Sequence, residues 1–161
     1  MIKVNIVCVG KLKEAYWREA VKEYSKRLSA YCSFEVAELA ESRLPDNPSE
    51  KNIAEALEKE YSAMMKFLQI KGAYNIAMCI EGKTISSEAL SQKLGEVSVS
   101  GFSTVNFFIG SSFGLSENVK RSCAMRMSMS PMTFPHQLAR VMLCEQVYRA
   151  FSIAANSKYH K

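Results

Sequence analysis

Residues 129–161 read MSPMTFPHQLARVMLCEQVYRAFSIAANSKYHK, and this closing stretch says more than any other part of the chain. Pro131 and Pro135 break the backbone, because a fixed φ and a missing N–H keep proline out of helix interiors and central strands. His136 and Gln137 then open a helix expected to run over about 135–154, and Tyr159, His160 and Lys161 end the sequence. Terminal residues are usually frayed and chemically plain. Here both histidines of the chain fall in this stretch, one opening the final helix and one in the penultimate position. That distribution points to a site built at the C-terminal end.

Working back from there, Met125, Met127 and Met129 alternate with Arg126 and Ser128, as in a strand with one buried face. Residues 105–109 and 2–9 are apolar runs that read as buried strands, and 34–39 and 74–80 are two more, the last closed by Glu81 and Gly82. Between them lie helical patterns. Trp17, Ala20, Val21, Tyr24 and Leu28 form one stripe over 14–28, and Ile53, Leu57, Tyr61, Met64 and Leu68 mark a long amphipathic helix. Asn47 is the expected cap of that helix, with Pro48 in its first turn. A short helix is expected over 87–94, and another from Glu117 to about Cys123, capped by Ser116. Strands alternating with helices predict an α/β fold, a mainly parallel sheet flanked by helices, in a single domain over 1–161.

Composition narrows the function. With 48% hydrophobic and 23% charged residues the chain can bury a real core, and a charged residue interrupts every apolar run before it reaches the length of a membrane span. The N-terminal MIKVNIVCVGKLKE lacks the cleavage pattern of a signal peptide. Cys8, Cys32, Cys79, Cys123 and Cys144 are scattered, with no CxxC and no histidine beside a cysteine pair, so buried free thiols in a reducing cytosol are expected, with no metal site. A net charge of +5 leans toward polyanions, and a symmetric dimer would double it. Arg18, Lys22 and Lys26 form a basic row on the first helix. They either face RNA or are simply a solvated surface on which Glu14–Arg18 and Glu23–Arg27 pair.

In open α/β sheets, ligands gather beyond the carboxyl ends of strands. Three strand ends lead into suitable loops here: residues 78–82, 109–116 and 129–135. In the second, Gly110 and Gly114 allow close backbone approach, although the loop is neither a P-loop nor GxGxxG. In the third, two prolines hold the chain open so that its N–H and C=O groups can meet a ligand, between apolar walls from Met129, Met132 and Phe134. Such a loop suits a flat heteroaromatic ring, or is simply a rigid turn before a helix. His136 is more readily a helix-terminus hydrogen-bond partner than a catalyst, and Glu145 and Arg149 are spaced to pair along the last helix. Asn156, Tyr159, His160 and Lys161 form a polar, aromatic and basic tail able to stack on a base, bind phosphate or move a proton.

In this order, the loops resemble those of the SPOUT methyltransferases, the α/β-knot class. Within that class the chain is similar to the large-subunit ribosomal RNA pseudouridine N3-methyltransferase family. The likeness covers essentially the whole chain, through VGKLKEAYWREAVKEYSKRL at 9–28, FFIGSSFGLSENV at 107–119, SMSPMTFPHQLARVMLCEQVYRAF at 128–151 and the closing YHK. The resemblance implies a homodimer with a C-terminal trefoil knot, which general topology rules would argue against. It implies S-adenosyl-L-methionine as the cofactor, contacted by Met78, Gly110, Met129, Ser130, Pro131, Met132, Thr133 and Phe134. It further implies catalysis by the tail residues Tyr159, His160 and Lys161 on a pseudouridine of 23S rRNA, in the large subunit or the assembled 70S ribosome, in the cytoplasm.

Three positions depart from the family pattern: Ser111 where a second glycine is usual, Cys79 where an acidic residue is common, and Ala155-Asn156 where many members have Arg-Gly. A Cβ at 111 would crowd the loop if its φ were positive. In the expected mechanism the imide proton at N3 of pseudouridine must leave, and His160 serves as base or as electrostatic stabiliser of the anion, with Tyr159 orienting the base and Lys161 meeting phosphate. Two alternatives stand beside this one: a non-catalytic module that binds RNA or the ribosome, and a SPOUT methyltransferase acting at another RNA position.

Overall fold

Lys3–Val9 form β1, whose side chains are buried almost from end to end because strands lie on both sides of it and helices on both of its faces. In the computed structural model, which describes residues 1–160, the chain continues through α1 (Ala15–Leu28), β2 (Ser33–Leu39), α2 (Glu50–Leu68), β3 (Ala73–Thr84) and α3 (Ser87–Val99). It ends with β4 (Thr104–Ile109), α4 (Glu117–Arg121), β5 (Met125–Ser128) and α5 (His136–Ala154). The strands form one sheet in the order β2-β1-β4-β3-β5, and every pairing is parallel, as the alternation of strands and helices predicts.

The pleat divides the core in two. Val4, Ile6 and Cys8 of β1, with Val105, Phe107 and Ile109 of β4, pack against Leu28 of α1, Leu90 and Leu94 of α3, and Leu143 and Val147 of α5. Val7, Val9, Ala77 and Phe108 face the other way, onto Met64 of α2 and Val119 of α4. The second face also carries a polar layer that the apolar patterning conceals. Asn5, Asn106 and Asn75 lie in register on β1, β4 and β3. The Asn5 amide donates to Asn106 Oδ1 and the Asn106 amide to Asn75 Oδ1, both at 2.8 Å. Asn106 and Asn75 also donate to the Phe67 and Leu68 carbonyls, at 3.0 and 3.1 Å. These carbonyls end α2, where no further helical turn supplies N–H groups to donate to them.

Several element ends differ from expectation. Ser49 caps α2 in place of Asn47: its hydroxyl accepts the Asn52 N–H at 3.1 Å while the Asn52 side chain accepts the Ser49 N–H at 3.0 Å. This reciprocal box satisfies two orphan donors and leaves Pro48 outside the helix. α3 runs past Gly95 to Val99 and stops before Gly101, whose φ is +89°. α4 ends at Arg121, two residues early. β3 does not close at Glu81 and Gly82 but continues to Thr84 across a break in its register with β5 between Met78 and Lys83. Gly82 lies so close to β5 that a Cβ would come within 2.6 Å of the Met127 carbonyl carbon, so glycine is needed for the continuation rather than for a stop. β5 ends at Ser128, which is buried along with Met127, so the strand lacks a clean inside–outside alternation.

Replacing Asn106 with Leu would strip both neighbouring asparagines of their shared partner. Stability to urea is expected to fall by roughly 2 kcal/mol or more, the cost of leaving buried amides unsatisfied. An unchanged midpoint would deny the asparagine layer any structural weight.

Candidate functional site

The three segments singled out in the sequence converge on one cavity of about 760 Å³ beyond the carboxyl end of β4, although the first of them, 78–82, is the part of β3 past its pairing with β4 and not a loop. Met78 to Glu81 form one wall, Ile109 to Leu115 a second, and Ser128 to Ala139 much of a third. The second wall is shaped by backbone proximity. A Cβ on Gly110 would sit 2.2 Å from the carbonyl of Gly114, so only glycine lets the loop fold onto itself. Gly114 turns with φ of +77° and donates its N–H to the Ser111 carbonyl at 2.8 Å.

Ser111 is accommodated without strain. The one non-glycine residue with positive φ among those described is Asn156. The Ser111 hydroxyl donates at 3.4 Å to Glu60 on α2, a residue only 5% exposed. Burial pushes the Glu60 carboxyl up, and the Ser111 hydrogen bond draws it partly back. On the third wall, the Ser128 hydroxyl donates to the Ser130 carbonyl at 3.0 Å, and the Ser130 hydroxyl accepts the Met132 N–H at 3.0 Å. These local bonds engage the Ser130 carbonyl and the Met132 N–H in place of strand pairing and fix the shape of the loop. Met129 therefore sits in this loop, not on β5.

Of the residues implied as cofactor contacts, Met78, Gly110, Met129, Ser130, Met132, Thr133 and Phe134 line the cavity, whereas Pro131 stands off its lining. His136 and Ala139, at the start of α5, line it as well. Cys79 also lines the wall, and burial pushes its thiol above the ordinary range. All five cysteines are free, and Cys8, Cys32 and Cys144 are buried.

The tail lies elsewhere. The Tyr159 O–H donates to Glu145 Oε1 at 3.2 Å, its ring meets Tyr148 edge-on at 4.7 Å, and the Arg149 guanidinium stacks over it at 4.8 Å. Burial pushes the Tyr159 phenol up to about 12, so it is a neutral donor at physiological pH. The expected Glu145–Arg149 pair is present at 2.5 Å. Arg149 Nη1 also lies 3.3 Å from His160 Nδ1, and His160 Nε2 lies 2.7 Å from Glu88 Oε1. Arginine only donates, so Nδ1 accepts and Nε2 carries the proton given to Glu88. Both ring nitrogens are thereby engaged, and one contact must open before His160 can take a proton. Arg149 is about 15 Å further along α5 than Ala139. A chain's own cavity and its own tail thus occupy opposite ends of one helix. Lys161 lies outside the described residues.

One residue of the site region escaped the sequence reading. Arg140, 1% exposed, donates to Glu38 Oε2 at 2.8 Å and to the Val9 and Gly10 carbonyls at 3.3 and 3.1 Å. The same carboxylate oxygen accepts the Leu12 N–H at 3.1 Å. The available signal was that Arg140 has no acidic residue three or four positions away on its own helix. On α1, Glu23–Arg27 pairs at 2.9 Å as expected, but Arg18 turns from Glu14 to the Leu12 and Lys13 carbonyls, at 3.2 and 2.7 Å, because these end an open loop and lack ladder partners. Lys22 and Lys26 are exposed.

Against this geometry, a family model described as "Predicted SPOUT methyltransferase" matches residues 2–160. The chain belongs to the SPOUT methyltransferase family. Ribosomal RNA large subunit methyltransferase H of Streptococcus equi subsp. zooepidemicus is 44% identical over 160 residues, covering 99% of this chain and 100% of that protein. The protein of the same name from Clostridium novyi matches with the same identity and coverage. In fold, the chain is similar to a solved structure titled as a probable methylase family protein from Haemophilus influenzae Rd KW20. The TM-score is 0.56 at 12% identity, over 98% of this chain and 70% of that one. Among the described residues of this SPOUT chain no helix is long and apolar enough to cross a membrane.

Two substitutions separate the architecture of the site from its anchoring. Gly110→Ala should leave the fold intact by circular dichroism yet abolish measurable nucleoside binding, since the added methyl must displace the Gly114 backbone. Arg140→Ala should lower stability to denaturant by about 2 kcal/mol, because it empties the space of a fully buried side chain, removes the guanidinium from two carbonyls and leaves Glu38 with the Leu12 N–H alone. A loss below about 0.5 kcal/mol, the size of an ordinary surface change, would contradict that role.

Proposed function

We propose that this protein, acting as one domain over residues 1–161, is an S-adenosyl-L-methionine-dependent methyltransferase that methylates N3 of a pseudouridine in 23S rRNA. It acts as a cytoplasmic homodimer on the large subunit or assembled 70S ribosome. The observation that carries the reading is the convergence on one cavity of the distal part of β3 and the loops after β4 and β5, with Gly110 closed against Gly114. The fit to the cofactor is physical: an adenosine needs a slot with apolar walls and main-chain hydrogen-bonding groups. Met129, Met132 and Phe134 supply the walls, and the Thr133 and Phe134 N–H groups, which donate to no main-chain carbonyl among the described residues, are available to the ring. A bound S-adenosyl-L-methionine supplies a methyl group on a positively charged sulfur, already activated for transfer.

The chain's own residues then have two tasks. The segments at Met78, Gly110 and Met129–Phe134 hold the adenosine and exclude water, and a base or anion-stabilising group deals with the N3 proton of the acceptor. His160 is our candidate for the second task, with Tyr159, a neutral donor, orienting the base and Lys161 meeting phosphate. The chain's own tail is a helix length from its own cavity, which favours the tail of one subunit serving its neighbour's site. Dimerisation is also supported by α5, where Leu138, Met142 and Ile153 remain half-exposed outside both core clusters. The return of the chain from the edge strand β5 to α1 and β1 is the kind of connection a C-terminal trefoil knot requires.

Mass mapping of rRNA from a strain lacking the protein should reveal one pseudouridine without its methyl group, restored by the protein and donor. An unaltered methylation map rejects the proposed substrate. His160→Ala should slow single-turnover methyl transfer about 100-fold or more while leaving donor affinity unchanged; equal rates would remove His160 from the chemistry. Mixing Gly110→Ala and His160→Ala subunits should restore activity if tails work in the partner's site, because one intact pocket then meets one intact tail. An inactive mixture would mean that each tail serves its own subunit.

A further inference from the structure

Glu81 is the one carboxylate, and Lys120 the one ammonium, among the described residues lining the cavity. They reach it from different elements. Glu81 lies in the part of β3 beyond the register break, and Lys120 in the last turn of α4. The Lys120 ammonium donates to Glu81 Oε1, and to Glu117 Oε1 at 3.3 Å. The two partners differ in exposure: the Lys120 side chain is 13% exposed and that of Glu81 52%. The lysine is therefore packed into the wall with its charge met from two sides, while the carboxylate stands at the open side. Glu81 Oε2 meets no other side chain among the described residues. The Lys120 hydrogen bond holds the Glu81 carboxyl below the usual carboxylate range, so it is ionised at neutral pH. Lys120 stands between Glu81 and Glu117, and Arg126 also bears on Glu81, so the charges at this wall balance and the exposed Glu81 carboxylate, with one oxygen unengaged by any side chain, is what the cavity is offered.

That exposed carboxylate oxygen is unexplained by adenosine recognition, for which apolar walls and main-chain groups suffice. The methyl donor carries one net positive charge, and its amino-acid end presents an ammonium that a fixed carboxylate would satisfy. We propose that Glu81, held in place by Lys120, binds the α-ammonium of the donor's amino-acid end. Lys120 is the positioning residue: without it the carboxylate swings free and its ionic hydrogen bond must be organised at the moment of binding. The inference rests on the methyltransferase reading and assigns a subsite within its cavity.

Calorimetry on the full-length protein tests it with three ligands: S-adenosylmethionine, S-adenosylhomocysteine and 5′-methylthioadenosine. The last keeps adenine, ribose and sulfur but lacks the amino-acid end. Glu81→Gln, isosteric at a half-exposed position, should weaken the first two about 10-fold, as expected for one charge-assisted hydrogen bond at a partly solvated site, and leave the third unchanged. Lys120→Met should show the same selectivity to a smaller degree. Equal weakening of all three ligands would mean that Glu81 reads the ribose, and unchanged affinities would mean that it reads nothing; either result overturns the proposal. Glu81→Ala, checked for an unaltered denaturation midpoint, guards against a glutamine that still binds through its amide oxygen. Failure of the parent protein to bind any of the three would instead overturn the methyltransferase reading, and this inference with it.

Discussion

The buried guanidinium of Arg140 holds the C-terminal part of the molecule in place. It joins α5 to Glu38 on β2 and to the carbonyls of Val9 and Gly10 where β1 ends. A cation so completely removed from water is tolerable only because its charge and most of its donors are met. Once it is met, the start of α5 cannot drift from the sheet, and the loop before it is drawn across the carboxyl ends of β3 and β4. The third wall of the cavity therefore depends on a contact made at the carboxyl ends of β1 and the edge strand β2, far in sequence from both other walls. The glycine contacts at 82 and 110 then set how closely the neighbouring backbones approach.

The same helix separates two kinds of chemistry. Its first turn borders a cavity with walls that are largely apolar, interrupted by Glu81 and Lys120. Its second half carries Glu145 and Arg149, which join Tyr159 and His160 of the following tail in one connected set of hydrogen bonds that reaches Glu88 on α3. In a single chain the two regions do not meet, and His160 is occupied at both nitrogens.

Much of this was legible from residue pattern. The continuous apolar runs at 105–109 and 2–9 read as doubly buried strands because parallel sheets cover both faces of each strand. The three loops stood out because glycine and proline change what the backbone can do, and such effects act within a few residues. The Glu145–Arg149 pair followed from helical spacing alone. The errors share a cause as well. Asn47 and Ser49 are both able to cap, and only the reciprocal bond with Asn52 decides between them. Gly82 looked like the end of a strand because nothing local shows that β5 would lie against it. Asn5, Asn75 and Asn106 are isolated polar residues in apolar strands until register brings them side by side.

From the chain alone, then, come the order and kind of its elements, the parallel sheet, the loops able to hold a nucleoside and the kinship carried by its long motifs. These depend on interactions between near neighbours, or on periodicities that any reader of the sequence can count. Tertiary structure alone decides that Arg140 is an anchor, that Glu81 and Lys120 meet on a cavity wall, and that the tail stands a helix length from its own pocket. Each of these joins residues that are distant in sequence or measures the span between them, and position in space is fixed only when sheet register and helix packing are settled together.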